Sequence, residues 1–253
     1  MNTVETEAII LSTRDHGESD RLISFISKSG GRLRGFAKGA RRSRRRFVHS
    51  FEPFSVVELK YQERKGGLWI ESSKLLEPFL GLRCDLERWS YAALATELVL
   101  ELVPEGEPNG EVFPLLKETY LRLSEDRDSL NVLLLFLFRF LDVMGYLPAL
   151  DGCALCGKPA ADGTRWTWAV GKGLFTCSDH RPQGQDHISL DLGTVMLIRK
   201  ARQLPLERIW RLYFTRDKRS SLLDVLLDWV REHIRKDLST LRMLRQLESA
   251  SAS

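Results

Sequence analysis

No stretch of this sequence is long and apolar enough to cross a bilayer. The longest uninterrupted apolar run is residues 132–138, which Arg139 ends, and a spanning helix needs roughly 20 such residues. The opening MNTVETEAIILS carries Glu5 and Glu7 and no basic stretch ahead of its apolar residues, so no secretory signal is expected. A cytosolic protein follows as the expectation. Cysteine is scarce, with 4 in 253 residues. A reducing compartment disfavours disulfides, so these four need another explanation. Catalytic signatures are missing too. There is no GxxxxGK[ST], and Lys38 is followed by Gly39 and Ala40, so no phosphate-cradling loop with a metal-binding hydroxyl forms. HExxH and GxSxG are also absent. His16, His49, His187 and His233 stand without obvious partners, and carboxylates are scattered. Neither an enzyme nor a small-molecule substrate is expected.

A global excess of charge is lacking as well, since the net charge is only +4. Its distribution is uneven. Residues 1–80 carry 15 Lys and Arg against 10 Asp and Glu, and the rest of the chain carries 23 against 24. Most of the excess sits in GGRLRGFAKGARRSRRRF, residues 30–47, with eight basic residues and no acidic one. Like charges this close repel unless solvent or a polyanion screens them. The bland reading is a solvated basic loop. The functional one is a phosphate-binding face made by Arg32, Arg34, Lys38, Arg41, Arg42, Arg44, Arg45 and Arg46.

The first 80 residues read as short strands between turns. Segments 6–12, 21–27, 31–37, 54–61 and 68–75 are rich in β-formers or alternate with period two, and turns at Asp15-His16-Gly17, Ser29-Gly30-Gly31, Glu52-Pro53 and Gly66-Gly67 bound them. Five strands in so short a span predict a small closed barrel, because closure removes exposed edges. An OB-type barrel fits best, and an SH3-like one matches the count. Beyond residue 81 the period changes. Segments 84–103, 108–123, 129–147, 191–202 and 220–236 read as helices, the third apolar nearly all round and therefore buried. The fold class expected is α+β: an N-terminal five-stranded OB-type barrel, then an all-helical domain with an embedded zinc-ribbon-like module. The boundaries expected are 1–80 for the barrel, 81–150 and 187–253 for the two parts of the helical domain, and 151–186 for the module. The tail SASAS should fray.

That module rests on CALCGKPAADGTRWTWAVGKGLFTCSDH. Cys153-x2-Cys156 and Cys177-x2-His180 lie 20 residues apart. Two short pairs on tight turns can set four nitrogen and sulfur donors around one tetrahedral zinc, and four protein donors leave no open position, so the ion would be structural. Segments 164–170 and 173–176 look like the hairpin that carries the second pair back. Alternatively the cysteines are buried free thiols and His180 lies at the surface. His187 could replace His180 as the fourth ligand. Cys84, on an apolar helical stripe, reads as core.

EAIIL at 7–11, GESD at 17–20, GRLRGFAKGAR at 31–41, FEPF at 51–54, GYLP at 145–148 and the cysteine pairs, in this order, resemble the RecO family of bacterial DNA repair proteins. The likeness spans most of the chain and is best in residues 5–60 and 136–180. It implies an OB fold, a helical domain and a zinc module. It also implies a cytoplasmic, nucleoid-associated recombination mediator. Such a protein binds single- and double-stranded DNA without sequence specificity and anneals complementary strands. With RecR it acts on strands coated by single-strand binding protein, and it helps load RecA, an indirect partner. Having His180 as the last ligand departs from the commoner four-Cys pattern. No motif carries partner-contact residues over.

Charge fits that expectation. Arg32, Arg34 and Lys38 would project from a strand and its exit turn, with the five following arginines in a mobile loop. If about half of the eight contact phosphates, the log–log salt slope on single strands is roughly −3. Phe36 and Phe47 could stack bases, although both, Phe36 above all, also suit the barrel core. Two other readings share the features: an RNA-binding OB and zinc-ribbon protein, and a nuclease with a site assembled from distant residues.

Overall fold

Period-two alternation does become strand. The computed structural model describes residues 3–125, 128–160, 165–169, 173–182, 187–234, 238–241 and 243–244. Five strands, β1 (Thr3–His16), β2 (Asp20–Ser27), β3 (Gly31–Ala37), β4 (Val56–Arg64) and β5 (Gly67–Glu77), close into a barrel of order β1-β2-β3-β5-β4. β1 returns to pair with β4, and β3 meets β5 in a short parallel pair at Gly35–Leu68 and Phe36–Trp69. This is the OB-type arrangement rather than the SH3-like alternative. Ile10, Ile23, Phe25, Val57, Leu59 and Ile70 fill the interior. Burying each side chain of this size contributes about 1.5–3 kcal/mol.

Contacts divide the chain into two units, Met1–Arg127 with Met243–Ser253, and Asp128–Arg242. In the first, helices α1 (Leu86–Leu102) and α2 (Val112–Glu125) accompany the barrel. The expected start of α1 at residue 84 moves to 86, because the Asp85 side chain accepts the Arg88 N–H at 3.0 Å and caps the helix. An aromatic joint holds this unit together. Phe54 and Phe79 meet Tyr120 edge-on at 5.5 and 5.9 Å. Tyr120 is wholly buried, which pushes its phenol far up, and its hydroxyl pairs with that of Thr96 at 2.6 Å.

In the second unit α3 (Ser129–Val143) is the buried helix, with residues 131–138 and Phe140 all inside. It stops before the expected residue 147. Gly145 has φ +75°, a conformation natural to glycine, and the Tyr146 N–H turns back to the Leu141 carbonyl at 2.8 Å. Helices α4 (Leu192–Gln203), α5 (Leu206–Ile209) and α6 (Arg216–Ile234) follow. Buried Asn131 donates to the Leu212 carbonyl and accepts from the Phe214 N–H, both at 2.9 Å, tying α3 to the segment before α6. A small sheet of β6 (Trp166–Ala169), β7 (Leu174–Cys177) and β8 (His187–Leu190) has the order β7-β6-β8. Residues 164 and 170 of the expected hairpin, 235–236 of the last expected helix, and the tail lie outside the described residues. No helix among the described residues is long and apolar enough to cross a membrane.

Candidate metal centre and nucleic-acid face

The cysteine module is built on two turns. In the first, the Gly157 N–H reaches the Cys153 carbonyl at 2.9 Å and the Cys153 N–H reaches the Lys158 carbonyl at 2.8 Å, with Gly157 at φ +72°. The Ala154 N–H bonds the Phe175 carbonyl at 2.8 Å and fixes that turn to β7. In the second, Cys177 ends β7 and a 3-10 turn, Ser178–His180, swings His180 back. The donors of Cys153, Cys156, Cys177 and His180 all lie within 4.8 Å of one another. Cys156 and Cys177 Sγ are 3.9 Å apart, and His180 Nδ1 is 3.4 Å from Cys177 Sγ and 3.8 Å from Cys153 Sγ. A tetrahedral ion with Zn–S of about 2.3 Å and Zn–N of about 2.0 Å sets its donors about 3.5–3.8 Å apart. The donor set therefore fits one metal ion. Burial works against a Cys153 thiolate, yet the backbone N–H groups of Cys177, Cys156 and Leu155 bring its pKa down to about 6.

Two expectations change here. His187 is not the alternative ligand, because its Nε2 lies 3.1–3.2 Å from the Arg181 guanidinium, outside the cluster. Cys84 is not core: it is exposed, ahead of α1, with Sγ 3.5 Å from the Leu80 carbonyl. With Asp85 as its N-cap, α1 begins at Leu86, two positions too late for Cys84 to join its buried face.

The basic segment leaves β3 at Lys38 and rejoins the barrel at β4. It is held at several points and is not the mobile loop expected. The Gly39 N–H donates to the Asp20 carboxylate at 2.8 Å, and the Arg41 N–H to the Ser19 carbonyl at 3.0 Å. Arg46 accepts the Ser73 N–H at 2.9 Å and gives its guanidinium to the Lys38 carbonyl at 2.8 Å. Ala40, Phe47 and Phe51 turn inward and join the barrel core, with Phe47 and Phe51 stacked at 5.1 Å. An apolar plug of this kind fixes the backbone while the arginines between its members stay outside.

The eight basic residues do not share one environment. Arg32 is half-buried, with Nε on the Val103 carbonyl at 2.6 Å and Nη1 3.8 Å from Glu105. Arg34 grips the same carboxylate through Nε at 2.8 Å and Nη2 at 2.5 Å, and that partner raises its already high pKa. Arg41 faces Asp15 at 3.4 Å and the carbonyls of Gly17 and Glu18 at 3.3 Å. Arg46 lies 4.9 Å over the Phe47 ring. Lys38, Arg42, Arg44 and Arg45 are exposed, and no side-chain ion pair holds them among the described residues.

Phe36 does not take the core place expected of it, and the structure settles Phe47, for which the sequence leaves core and surface both open. Phe47 is core. Phe36 is half-buried on the outside of the barrel, 5.1 Å from the His16 ring and 5.7 Å from Trp69. The sequence held that signal: in GRLRGFA, Phe36 shares the alternating face of Arg32 and Arg34. Trp69 and Glu105 escaped notice. Trp69 alternates outward between Leu68 and Ile70, and Glu105 is distant in sequence from the strand it neutralises.

A model of the N-terminal part of recombination protein O matches residues 1–79, and one of its C-terminal part matches residues 83–242. The chain belongs to the RecO family of DNA repair proteins. It is 57% identical over 249 residues to the DNA repair protein RecO of Syntrophobacter fumaroxidans, covering 98% of this chain and 100% of that one. The RecO of Syntrophus aciditrophicus is 30% identical, across 97% of this chain and 96% of its own. The RecO of Pelobacter propionicus is also 30% identical, across 98% and 99%. The stretches that resembled RecO are structural joints in this member. GESD supplies Ser19 and Asp20, which hold the Gly39 and Arg41 of AKGAR. FEPF supplies Phe51, whose carbonyl accepts the Thr13 hydroxyl at 2.6 Å, and Phe54, whose N–H bonds the Ile10 carbonyl at 2.9 Å. GYLP supplies the C-terminal cap of α3, and its Pro148 carbonyl accepts from Arg202 at 2.8 Å.

Proposed function

We propose that this RecO chain is a recombination mediator that grips DNA phosphates on the basic segment of its barrel and anneals complementary strands. One observation carries the reading: a loop with no acidic residue, pinned at both ends, holds Lys38, Arg42, Arg44 and Arg45 exposed, with no side-chain ion pair among the described residues. Phosphates that bind there release counterions, and contacts of this kind carry no sequence information. Annealing makes and breaks no covalent bond. It needs two polyanions held close, their repulsion lowered, and their base edges left open. Fixed guanidinium groups do this without nucleotide hydrolysis. Anchoring matters because a pinned loop loses less entropy when it binds than a free one.

Cys153, Cys156, Cys177 and His180 would hold one structural zinc, which supplies a tetrahedral crosslink. By likeness to the family, the DNA is single- or double-stranded, and RecR, single-strand binding protein and, indirectly, RecA are the partners of a cytoplasmic, nucleoid-associated protein. The test mixes two complementary labelled oligonucleotides, coated with single-strand binding protein, with this protein and no ATP. Faster duplex formation is expected at low salt and is lost when Arg41, Arg42, Arg44, Arg45 and Arg46 all become Ala. Annealing unchanged in that variant overturns the assignment of the surface. Tighter binding to RNA than to DNA of equal length would favour the RNA-binding reading.

A further inference from the structure

The outward faces of β2, β3 and β5 hold an unexpected row. Leu22 pairs with Phe36, and Phe36 pairs with Trp69, in direct register across three neighbouring strands. All three are partly exposed. Inward neighbours account for the core without them, since Ile23, Ala37 and Ile70 are the buried members of the same strands. At the next outward position Arg34 is exposed and pairs with Ser24, which is buried, so no second apolar pair extends the row. His16, at the end of β1, closes the row over Phe36. The rings lean on one another at 39° and 60° instead of closing face to face, so they do not use up each other's π-faces.

The row lies between the β1–β2 turn and the β4–β5 turn, the two loops that flank the oligonucleotide-binding face of OB barrels in general. Its surroundings favour a polyanion. Lys38 stands two residues beyond Phe36, and Lys65 stands in the β4–β5 turn beside the start of β5. Both are exposed and neither is ion-paired among the described residues. Of the acidic groups nearby, Asp20 is engaged by the Gly39 N–H, Asp15 by Arg21 and Arg41, and Glu71 by Arg64, while Glu18 and Glu63 are exposed.

We propose that Phe36 and Trp69, with His16 at their edge, form a platform on which an unpaired nucleobase of a single strand stacks. This proposal rests on the nucleic-acid reading above and gives that site its preference for single strands. A base held by its face keeps its pairing edge free, which is the posture annealing needs. A duplex buries those faces in its own stack and cannot use the platform. Phosphate contacts on the arginine loop serve both forms, so the two surfaces have separable effects.

The experiment compares three probes of equal length: a thymidine strand, a strand of abasic deoxyribose phosphates, and a duplex. Trp69→Leu keeps apolar bulk but removes the aromatic face, and Trp69→Phe restores one. Wild-type protein should bind the thymidine strand about tenfold more tightly than the abasic strand, the scale of one or two stacked bases. In Trp69→Leu and Phe36→Ala that advantage should vanish. Duplex affinity should stay within about twofold and the salt slope should not move, because no charge is lost. Trp69→Phe should recover most of the advantage. Equal losses on all three probes, or an undiminished thymidine preference in Trp69→Leu, overturn the platform. If the five-arginine variant keeps full affinity while Trp69→Leu behaves as expected, the phosphate assignment fails and the platform stands.

Discussion

Gly39 shows how much one residue decides at the base of the basic loop. It has φ +67°, and its N–H must point at Asp20. An added Cβ would meet nothing nearer than Arg46 Nη2 at 3.6 Å, so the penalty for Gly39→Ala is conformational alone, about 1 kcal/mol. The expected outcome is a melting temperature lower by a few degrees, with the loop loosened and DNA binding weakened. Gly35 is different. A Cβ there would lie 2.5 Å from Leu68 Cδ2 inside the barrel, and overpacking costs roughly 1–3 kcal/mol, so Gly35→Ala should destabilise more. Asp20 adds a pH dependence. The Gly39 N–H, and after it the Ser19 hydroxyl, hold its carboxyl below the usual carboxylate range. The folded protein therefore takes up that proton less readily than the unfolded chain. The stabilisation is complete above about pH 4 and fades as the pH falls through the folded value. Melting temperatures measured across that range should fall less steeply in Asp20→Asn than in wild type.

Among the elements, the metal module is the most self-contained test. Its two turns, with Gly157 in one and the 3-10 turn at Ser178 in the other, bring four donors within 4.8 Å of one another. Replacing Cys156 by Ser should lower bound zinc from about one ion per chain to near none, measured by elemental analysis. Because binding energy at such sites becomes folding energy, the second unit should melt earlier, while the affinity of the surviving protein for DNA stays unchanged. The same scale shows what the residues disclosed in advance. Barrel strands were readable because alternation has a period of two, and α3 because it is apolar all round. β8 and α5, four residues each, are too short for any period to declare itself. The cysteine spacing pointed to the Cys153, Cys156, Cys177 and His180 cluster that could hold a metal ion, since its donors are local pairs. The loop plug stayed hidden: Phe47 and Phe51 sit in no regular element, so nothing in their spacing separates core from surface. Glu105 was hidden for another reason, as its pairing with Arg34 spans 71 residues.

Charge is a property of the whole molecule, and here the count that matters is smaller than eight. Arg32 and Arg34 share Glu105, and Arg41 and Arg46 are tied to their own barrel. Of the eight, Lys38, Arg42, Arg44 and Arg45 are exposed and carry no ion pair among the described residues, which leaves these four to meet phosphates. On single strands each contact contributes about −0.7 to the log–log salt slope, so wild-type protein should give about −3. Changing the five loop arginines to Ala leaves Lys38 and should flatten the slope to about −1. Glu105 acts in the opposite direction. Its carboxylate occupies the Arg34 fork as a phosphate oxygen would, at 2.5 and 2.8 Å, but the pair is exposed and exposed pairs hold weakly. Glu105→Gln removes the competing charge and releases up to two arginines, so binding should tighten at low salt and the slope should steepen toward about −4. Titrating wild type and both variants against one labelled strand at several salt concentrations measures all three slopes. If Glu105→Gln left affinity and slope together unchanged, Arg32 and Arg34 would be structural cations of the barrel, with no part in holding DNA.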